Sequence, residues 1–243
     1  MSEIYIVGMG PGDKDNITYR AKEVLEKVDV VVGYKTYIEL AQSICDLKET
    51  ISSGMRHEVE RCEKVLSLVE ENKTVALVSS GDSGIYGMAG IMLEVLKAHN
   101  SKCKVEVVPG VTSASASAAL LGAPIIHDCA FISLSDLLTQ WDLIKKRIKN
   151  AADGDFVICL YNPKSKKRIT QLSEAVAIIK EYRTLDTPVG IVKNAMRETQ
   201  EVILTDLDNL LSQDVDMTTT IIIGNSQSYK TEEFMITPRG YSL

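Results

Sequence analysis

Three glycines spaced two apart, Gly8, Gly10 and Gly12, follow an apolar run and are closed by an acid, Asp13. A glycine loop after a first strand usually serves a nucleotide phosphate. The dinucleotide pattern is G-x-G-x-x-G, however, and Asp13 holds the place of its third glycine. The lysine-bearing pattern G-x-x-x-x-G-K-[ST] is missing as well, and Pro11 removes an amide that a phosphate would use. The loop is either a tight strand-to-helix turn or a close approach of main chain to a ligand without phosphates. "SSGDSGIYG", residues 79–87, repeats the theme. Asp82 would repel a phosphate; it can accept from ribose hydroxyls or an ammonium group, or form an Asx-turn that only reverses the chain.

In "PGVTSASASA", Thr112, Ser113 and the free amides of a helix N-terminus offer a carboxylate site, with close packing of small residues as the alternative. A ligand with a carboxylate, an ammonium and a ribose but no phosphate matches these loops, and S-adenosylmethionine (SAM) has that description. A fourth loop, "YNPKSKKR", holds Lys164, Lys166, Lys167 and Arg168. These cations either start a solvated helix or bind an acidic substrate, and Arg56 and His57 offer the same chemistry. His127-Asp128-Cys129 carries donors without chelating spacing and reads as structural, so no protein metal site is expected.

With 27 basic against 33 acidic residues the chain carries −6 at a pI near 5.2. Counterion release on nucleic acid is therefore disfavoured, and Trp141 with three phenylalanines is too sparse for base stacking. Five cysteines without C-x-x-C suggest reduced thiols. No apolar run approaches the ~18–20 residues that cross a bilayer, and Met1-Ser2-Glu3 does not start a leader peptide. The expectation is a cytoplasmic protein with neither membrane nor nucleic-acid partner.

The elements that must position these loops alternate in the first half. Apolar runs at 4–7, 29–32, 74–80 and 104–110 read as strands. Helical spacing falls at 17–27, at 55–69 (Val59, Cys62, Val65, Leu66 and Val69 on one face) and at 88–98. Such alternation predicts a mostly parallel sheet. After a small-residue helix from Thr112 or Ser113 to Gly122 the pattern loosens. Strands are expected at 155–161, 189–193, 201–205 and 218–224, helices at 169–182 and 207–211, and a last edge strand in "EEFMITP". Neighbouring strands with little helix between them predict a mixed sheet. The reading is α/β with two domains, 1–113 and 114–243.

Taken together and in order, "VGMGPGD", "VSSGDSGIYGMAG", "VVPGVTSASASAALLGAP", "LYNPKSKKR", "GIVKNAMRETQ" and "TTTIIIG" resemble the tetrapyrrole methylase family, the class III SAM-dependent methyltransferases. Within it, "VVGYKTYIEL", "SSGMRHEVERCEKVL" and "NPKSKKR" are similar to the branch that methylates C17 of a corrin precursor, precorrin-3B or cobalt-factor III, with ring contraction on the way to cobalamin. The resemblance implies two α/β domains with SAM in the cleft between them, S-adenosylhomocysteine as product, and a homodimer. By motif, the SAM contacts would be Pro11, Ser80, Gly81, Asp82, Ile85, Thr112, Ser113, Tyr161, Asn162, Ala195, Thr219 and Thr220. Arg56, Lys164, Lys166, Lys167 and Arg168 would hold the acidic tetrapyrrole, whose cobalt, where present, arrives inside it. Ring contraction needs proton transfers, for which His57, Tyr161 and Thr112 are available. Ser80 and Asn162 stand where many members have glycine and methionine. A C20 or C11 methylase of the same pathway is the alternative within the family, and an NAD-type oxidoreductase the alternative outside it.

Overall fold

The computed structural model describes residues 3–242, so Met1 and Ser2 of the N-terminal segment read above lie outside it. The chain divides into two units, Met1–Ser113 and Ala114–Leu243. The first runs β1 (Glu3–Gly8), α1 (Tyr19–Lys27), β2 (Val30–Tyr34), α2 (Lys35–Ile44), β3 (Glu49–Ser53), α3 (Glu58–Glu70), β4 (Val75–Ser79), α4 (Ala89–Ala98) and β5 (Lys104–Val108). Its sheet has the order β3-β2-β4-β1-β5, and every pairing is parallel. Strands buried on both faces must be apolar at successive positions. Ile4, Ile6, Val30, Val32, Val75 and Leu77 pack with α3 and α4, while Val7, Val31, Ala76 and Val78 pack with α1 and α2. Truncating one of these, such as the fully buried Leu77, costs roughly 2–5 kcal/mol. One consequence matters for function: all five carboxyl ends emerge on one edge.

The second unit contains α5 (Ser113–Leu121), β6 (Gly122–Ala123), β7 (Cys129–Ser133), α6 (Trp141–Asp153), β8 (Val157–Tyr161), α7 (Gln171–Lys180), β9 (Pro188–Lys193), β10 (Glu201–Asp206), a 3-10 turn (Leu210–Ser212), β11 (Thr219–Ile223), β12 (Tyr229–Lys230) and β13 (Met235–Ile236). Its main sheet, β10-β9-β11-β8-β7, is mixed: β7 and β8 are parallel, and the other pairs antiparallel. The loop between β9 and β10 is too short for a crossover helix, which forces that pair antiparallel. Ile144, Ile148, Leu172, Val176 and Ile179 of α6 and α7 cover one face. On the other face Leu121 of α5 lies so close to Gly190 that a Cβ there would come within 2.3 Å of it.

Several expectations change. The helix expected from Ile17 starts at Tyr19, because the Thr18 hydroxyl accepts from the Ala21 amide and caps it. The helix expected from Met55 starts at Glu58, since Arg56 is left-handed at φ 67°. The helix at 207–211 is only the turn at Leu210–Ser212, where the Asp206 carboxylate takes the Asn209 amide. The last strand is no edge: β13 lies between β12 and β6 in a three-stranded sheet. No helix among the described residues is long and apolar enough to cross a membrane.

Candidate functional site

In the first unit the loops after β1, β4 and β5 meet at the carboxyl edge. Main-chain bonds join the first two reciprocally, Gly10 N to Gly81 O at 3.0 Å and Gly81 N to Gly10 O at 2.7 Å, and Met9 N donates to Ser79 O at 2.9 Å. Glycine is obligatory at the crossing. A Cβ on Gly110 would sit 2.2 Å from Gly81 O and 2.6 Å from the Gly8 carbonyl carbon. A Cβ on Gly8 would meet Gly81 O at 2.7 Å. The glycines thus close the loops against one another. Thr112 and Ser113 flank the same crossing, with Ser113 N and the Thr112 Cα each 3.7 Å from the Cβ position of Gly81.

Asp82 forms the Asx-turn. Its Oδ1 accepts from the amides of Gly84 at 2.8 Å and Ile85 at 3.1 Å, and its Oδ2 accepts from Gly110 N at 3.0 Å. The carboxylate therefore also ties the β4 loop to the β5 loop, and so fixes Ile85 relative to Thr112. Asp13 behaves differently. Its Oδ2 accepts from Asn16 Nδ2 at 2.7 Å, while its Oδ1 is buried without a hydrogen-bond partner. None of the segments 8–13, 79–87 and 109–113 contains a lysine or arginine. The edge is rich in acceptors and short of cations.

Further along this edge lies the segment after β3. Arg56 is exposed there, and its amide bonds Glu58 Oε1 at 3.3 Å. His57 Nδ1 lies 2.5 Å from Glu60 Oε2. A carboxylate on one ring nitrogen fixes the tautomer and leaves the other for proton exchange. A residue absent from the sequence reading stands beside them. Arg61 is 5% exposed, and its guanidinium donates to Ser53 Oγ at 2.9 Å, Gly54 O at 2.9 Å and the Met88 sulfur at 3.7 Å, with no carboxylate paired to it among the described residues. Val59, expected on the buried face of this helix, is 55% exposed instead. An arginine on the apolar stripe of "VERCEKVLSLV" was the available signal.

In the second unit the carboxyl ends of β7, β8 and β9 and the amino end of β11 share one edge. The register brings Tyr161 beside Ser133, and Thr219 and Thr220 beside Lys193 and Val192, with Ala195 next in line. The C-terminal residues carried over by motif are thereby brought together. Tyr161 Oη accepts from the Ala114 amide at 3.1 Å and so caps α5. Asn162 takes a left-handed φ of 51°, and its side-chain amide donates to Ser133 Oγ at 3.0 Å. The Thr219 hydroxyl sits in a turn, accepting from Asp216 N at 3.1 Å and reaching Asp216 Oδ1 at 3.2 Å. Lys193 pairs with Asp214 at 2.8 Å and Asp216 at 3.1 Å, and these two carboxylates raise its pKa. Burial opposes ionisation of Asp216, but hydrogen bonds from Thr218 together with Lys193 win and hold its pKa below the ordinary 3.8.

The four expected substrate cations of the second unit separate into two kinds. Lys164, Lys166 and Lys167 are exposed. Arg168 is half-buried and turned inward, with Nε at 3.2 Å and Nη2 at 2.9 Å from the Asn162 carbonyl. Burial lowers its pKa. Arg168 shapes the loop, and the lysines are what the loop presents. Among the described residues no group of three or more His, Cys, Asp or Glu could hold a metal.

A family model described as Tetrapyrrole (Corrin/Porphyrin) Methylases matches residues 3–211. The cobalt-factor III methyltransferase of Priestia megaterium is 46% identical over 243 residues, which cover 98% of this chain but only 45% of that protein's length. The probable cobalt-factor III C(17)-methyltransferase of Salmonella typhimurium is 45% identical over 238 residues, covering 98% of this chain and 99% of that one. Among solved structures, the methyltransferase CobJ superposes with a TM-score of 0.92 at 29% identity, covering 98% of this chain and all of that one. An all-parallel unit followed by a mixed one, both with their loops gathered at a carboxyl edge, is thus shared with proteins of this kind from end to end. The chain belongs to the tetrapyrrole (corrin/porphyrin) methylases.

Proposed function

We propose that this protein transfers a methyl group from SAM to C17 of cobalt-factor III or its cobalt-free counterpart precorrin-3B, in a step that also contracts the macrocycle. The acceptor is suggested by the 45% identity with the Salmonella protein, which the chain matches over nearly its whole length. The observation that carries the donor is the acceptor-rich crossing of the β1, β4 and β5 loops, whose segments 8–13, 79–87 and 109–113 hold no lysine or arginine. Asp13 Oδ1, buried and unpartnered, suits an ammonium or a ribose hydroxyl and would disfavour a phosphate. The residues present fit such a guest.

When bound, SAM supplies an electrophilic methyl on a sulfonium. The protein's task is alignment, which in favourable cases is worth up to ~7–11 kcal/mol. Pro11, Ser80, Gly81, Asp82, Ile85, Thr112 and Ser113 would hold the donor from the first unit. Asp82 acts there chiefly by fixing the loops. Tyr161, Asn162, Ala195, Thr219 and Thr220 would contribute from the second. Asn162 and Thr219 have side chains already engaged with Ser133 and Asp216, so main-chain contacts are the natural ones at those positions. Arg56 and the three lysines would meet the substrate carboxylates. Of the groups available for proton transfer during contraction, His57 with Glu60 is the only one here already built as an imidazole–carboxylate pair.

The test is incubation with SAM and cobalt-factor III or precorrin-3B, followed by mass measurement and NMR of the product. A methyl at C17 in a contracted ring is expected. Methylation at C20 or C11 would move the protein to a sister branch. In calorimetry, S-adenosylhomocysteine should bind and NADH should not; the reverse would support the oxidoreductase reading.

A further inference from the structure

Two loops of the second unit lie side by side at the ends of the parallel strands β7 and β8, and neither is loose. Leu134 N donates to Tyr161 O at 2.9 Å, Asn162 Nδ2 to Ser133 Oγ at 3.0 Å, and Gln171 Nε2 to Asp136 Oδ2 at 2.9 Å. Arg168 locks the second loop from inside. What these tied loops show to solvent is unusual. Leu137 is 63% exposed, Leu138 93% and Ile169 66%. Single exposed apolar side chains need no explanation, but three on two adjoining, pinned loops, each within two residues of the Asp136–Gln171 bond, call for one. The rest of the second loop presents Lys164, Lys166 and Lys167, none with an ion pair among the described residues.

An apolar surface bordered by unpaired ammonium groups complements a ligand with a flat apolar face and a rim of carboxylates. We propose that Leu137, Leu138 and Ile169, beside Lys164, Lys166 and Lys167, form a lip on which the tetrapyrrole lays its macrocycle, so that the leucines are specificity residues for the face and the lysines for the rim. This rests on the methyltransferase reading above and adds to it the apolar half of substrate recognition. The three lysines without ion pairs among the described residues argue for an occupant that brings several carboxylates close together, as the tetrapyrrole does.

The experiment uses the full chain and its Leu138→Asp variant, with S-adenosylhomocysteine, cobalt-factor III and uroporphyrin III as separate probes. A side chain 93% exposed can be replaced without unfolding the protein, and equal Tm and equal S-adenosylhomocysteine affinity would establish that it has been. The proposal expects tetrapyrrole affinity to fall by about tenfold or more in Leu138→Asp, as for an anchor residue of a binding surface, and to be kept in Leu138→Met. It further expects Lys164→Gln/Lys166→Gln/Lys167→Gln to weaken the same binding in a salt-dependent manner, whereas the loss in Leu138→Asp persists at high salt. Unchanged tetrapyrrole affinity in Leu138→Asp overturns the lip. So does a change in sedimentation coefficient that tracks the substitution, which would assign the patch to self-association. Wild-type protein that binds S-adenosylhomocysteine but neither tetrapyrrole would sink the function itself, a different result from loss of the lip alone.

Discussion

The two loop clusters reach the same end by opposite means. In the first unit the strands are all parallel, the loops leave one edge in the same direction, and they are closed by main chain touching main chain at Gly8, Gly81 and Gly110. In the second unit the sheet is mixed, strands arrive and leave at the same edge, and side chains do the joining: Tyr161 to Ala114, Asn162 to Ser133, Lys193 to Asp214 and Asp216. Main-chain contacts leave no room for substitution, whereas side-chain contacts leave a choice of residue. The first cluster should therefore be brittle and the second adjustable.

The sharpest way to break that contrast is a pair of glycine replacements. In Gly110→Ala the new methyl would meet backbone at 2.2 Å and 2.6 Å, and nothing there can swing aside. A loss of about 3–5 kcal/mol in stability is expected, with S-adenosylhomocysteine binding abolished in calorimetry. In Gly190→Ala the nearest atoms, at 2.3 Å and 2.7 Å, are the tips of the Leu121 side chain, which can rotate. Its cost should stay near 1–3 kcal/mol, with binding retained. Equal losses in the two variants would refute the distinction.

Buried arginines give the next comparison. Arg183 in the second unit donates to the carbonyls of Ala152, Tyr182, Phe156 and Gly224 and pairs with Asp155 at 3.2 Å. Arg61 in the first has two oxygen acceptors, a sulfur and no acid. Removing one partner costs according to the buried groups it strands: Arg183→Met strands four carbonyls and the Asp155 carboxylate, whereas Arg61→Met strands only Ser53 Oγ and Gly54 O and takes a charge out of the interior. Arg183→Met should therefore lose about 2–4 kcal/mol in urea unfolding, and Arg61→Met under about 1 kcal/mol. A large loss at Arg61 would mean that its neutral partners carry more of the fold than its charge costs.

A smaller effect is expected at the one carboxylate that holds two loops of the first unit together. Asp82→Ala releases the amides of Gly84, Ile85 and Gly110. Exposed amides recover water, so stability should drop by only about 1–2 kcal/mol, while S-adenosylhomocysteine affinity falls about tenfold through the loosened loops. Asp82→Asn keeps an acceptor for Gly84 and Ile85 but turns a donor toward Gly110. An intermediate affinity is expected there, and wild-type affinity in the alanine variant would remove Asp82 from the site.

Much of the first cluster is legible in sequence because glycine spacing and apolar runs are local signals. The opening loop, Asp82 and the small-residue helix can all be read within ten residues of themselves. What sequence does not carry is which polar group is already spent. The bonds that Asp82 makes to three amides, and Arg168 to the Asn162 carbonyl, cannot be read from their residue types. The missed elements have physical reasons too. The strand Glu49–Ser53 lies at a sheet edge and buries little, so it shows no apolar run. The helix Lys35–Ile44 buries only Ile38 and Ala41 fully. In the helix Trp141–Asp153, by contrast, Ile144, Ile148, Ala151 and Ala152 did offer a helical spacing, masked by the charges between them. Exposure of Leu138 belongs to tertiary structure alone.

The smallest effect separates the clusters by pH. Asp216 has a pKa held below 3.8, so it contributes stability that is present above that value and is lost as pH falls through the depressed one. Its side chain is 44% exposed, and solvent screening keeps the contribution under about 1 kcal/mol. Asp216→Asn should therefore show a slightly lower Tm than wild type at neutral pH, and the gap should close on acidification below about pH 4. The Thr219 turn accepts from the Asp216 main-chain amide, so the asparagine variant keeps that bond and changes only the charge beside Lys193. S-adenosylhomocysteine affinity should then remain near wild type. A gap in Tm that does not narrow at all as pH falls below 3.8 would mean that the loss is one of packing or hydrogen-bond geometry, and not of the Asp216 charge.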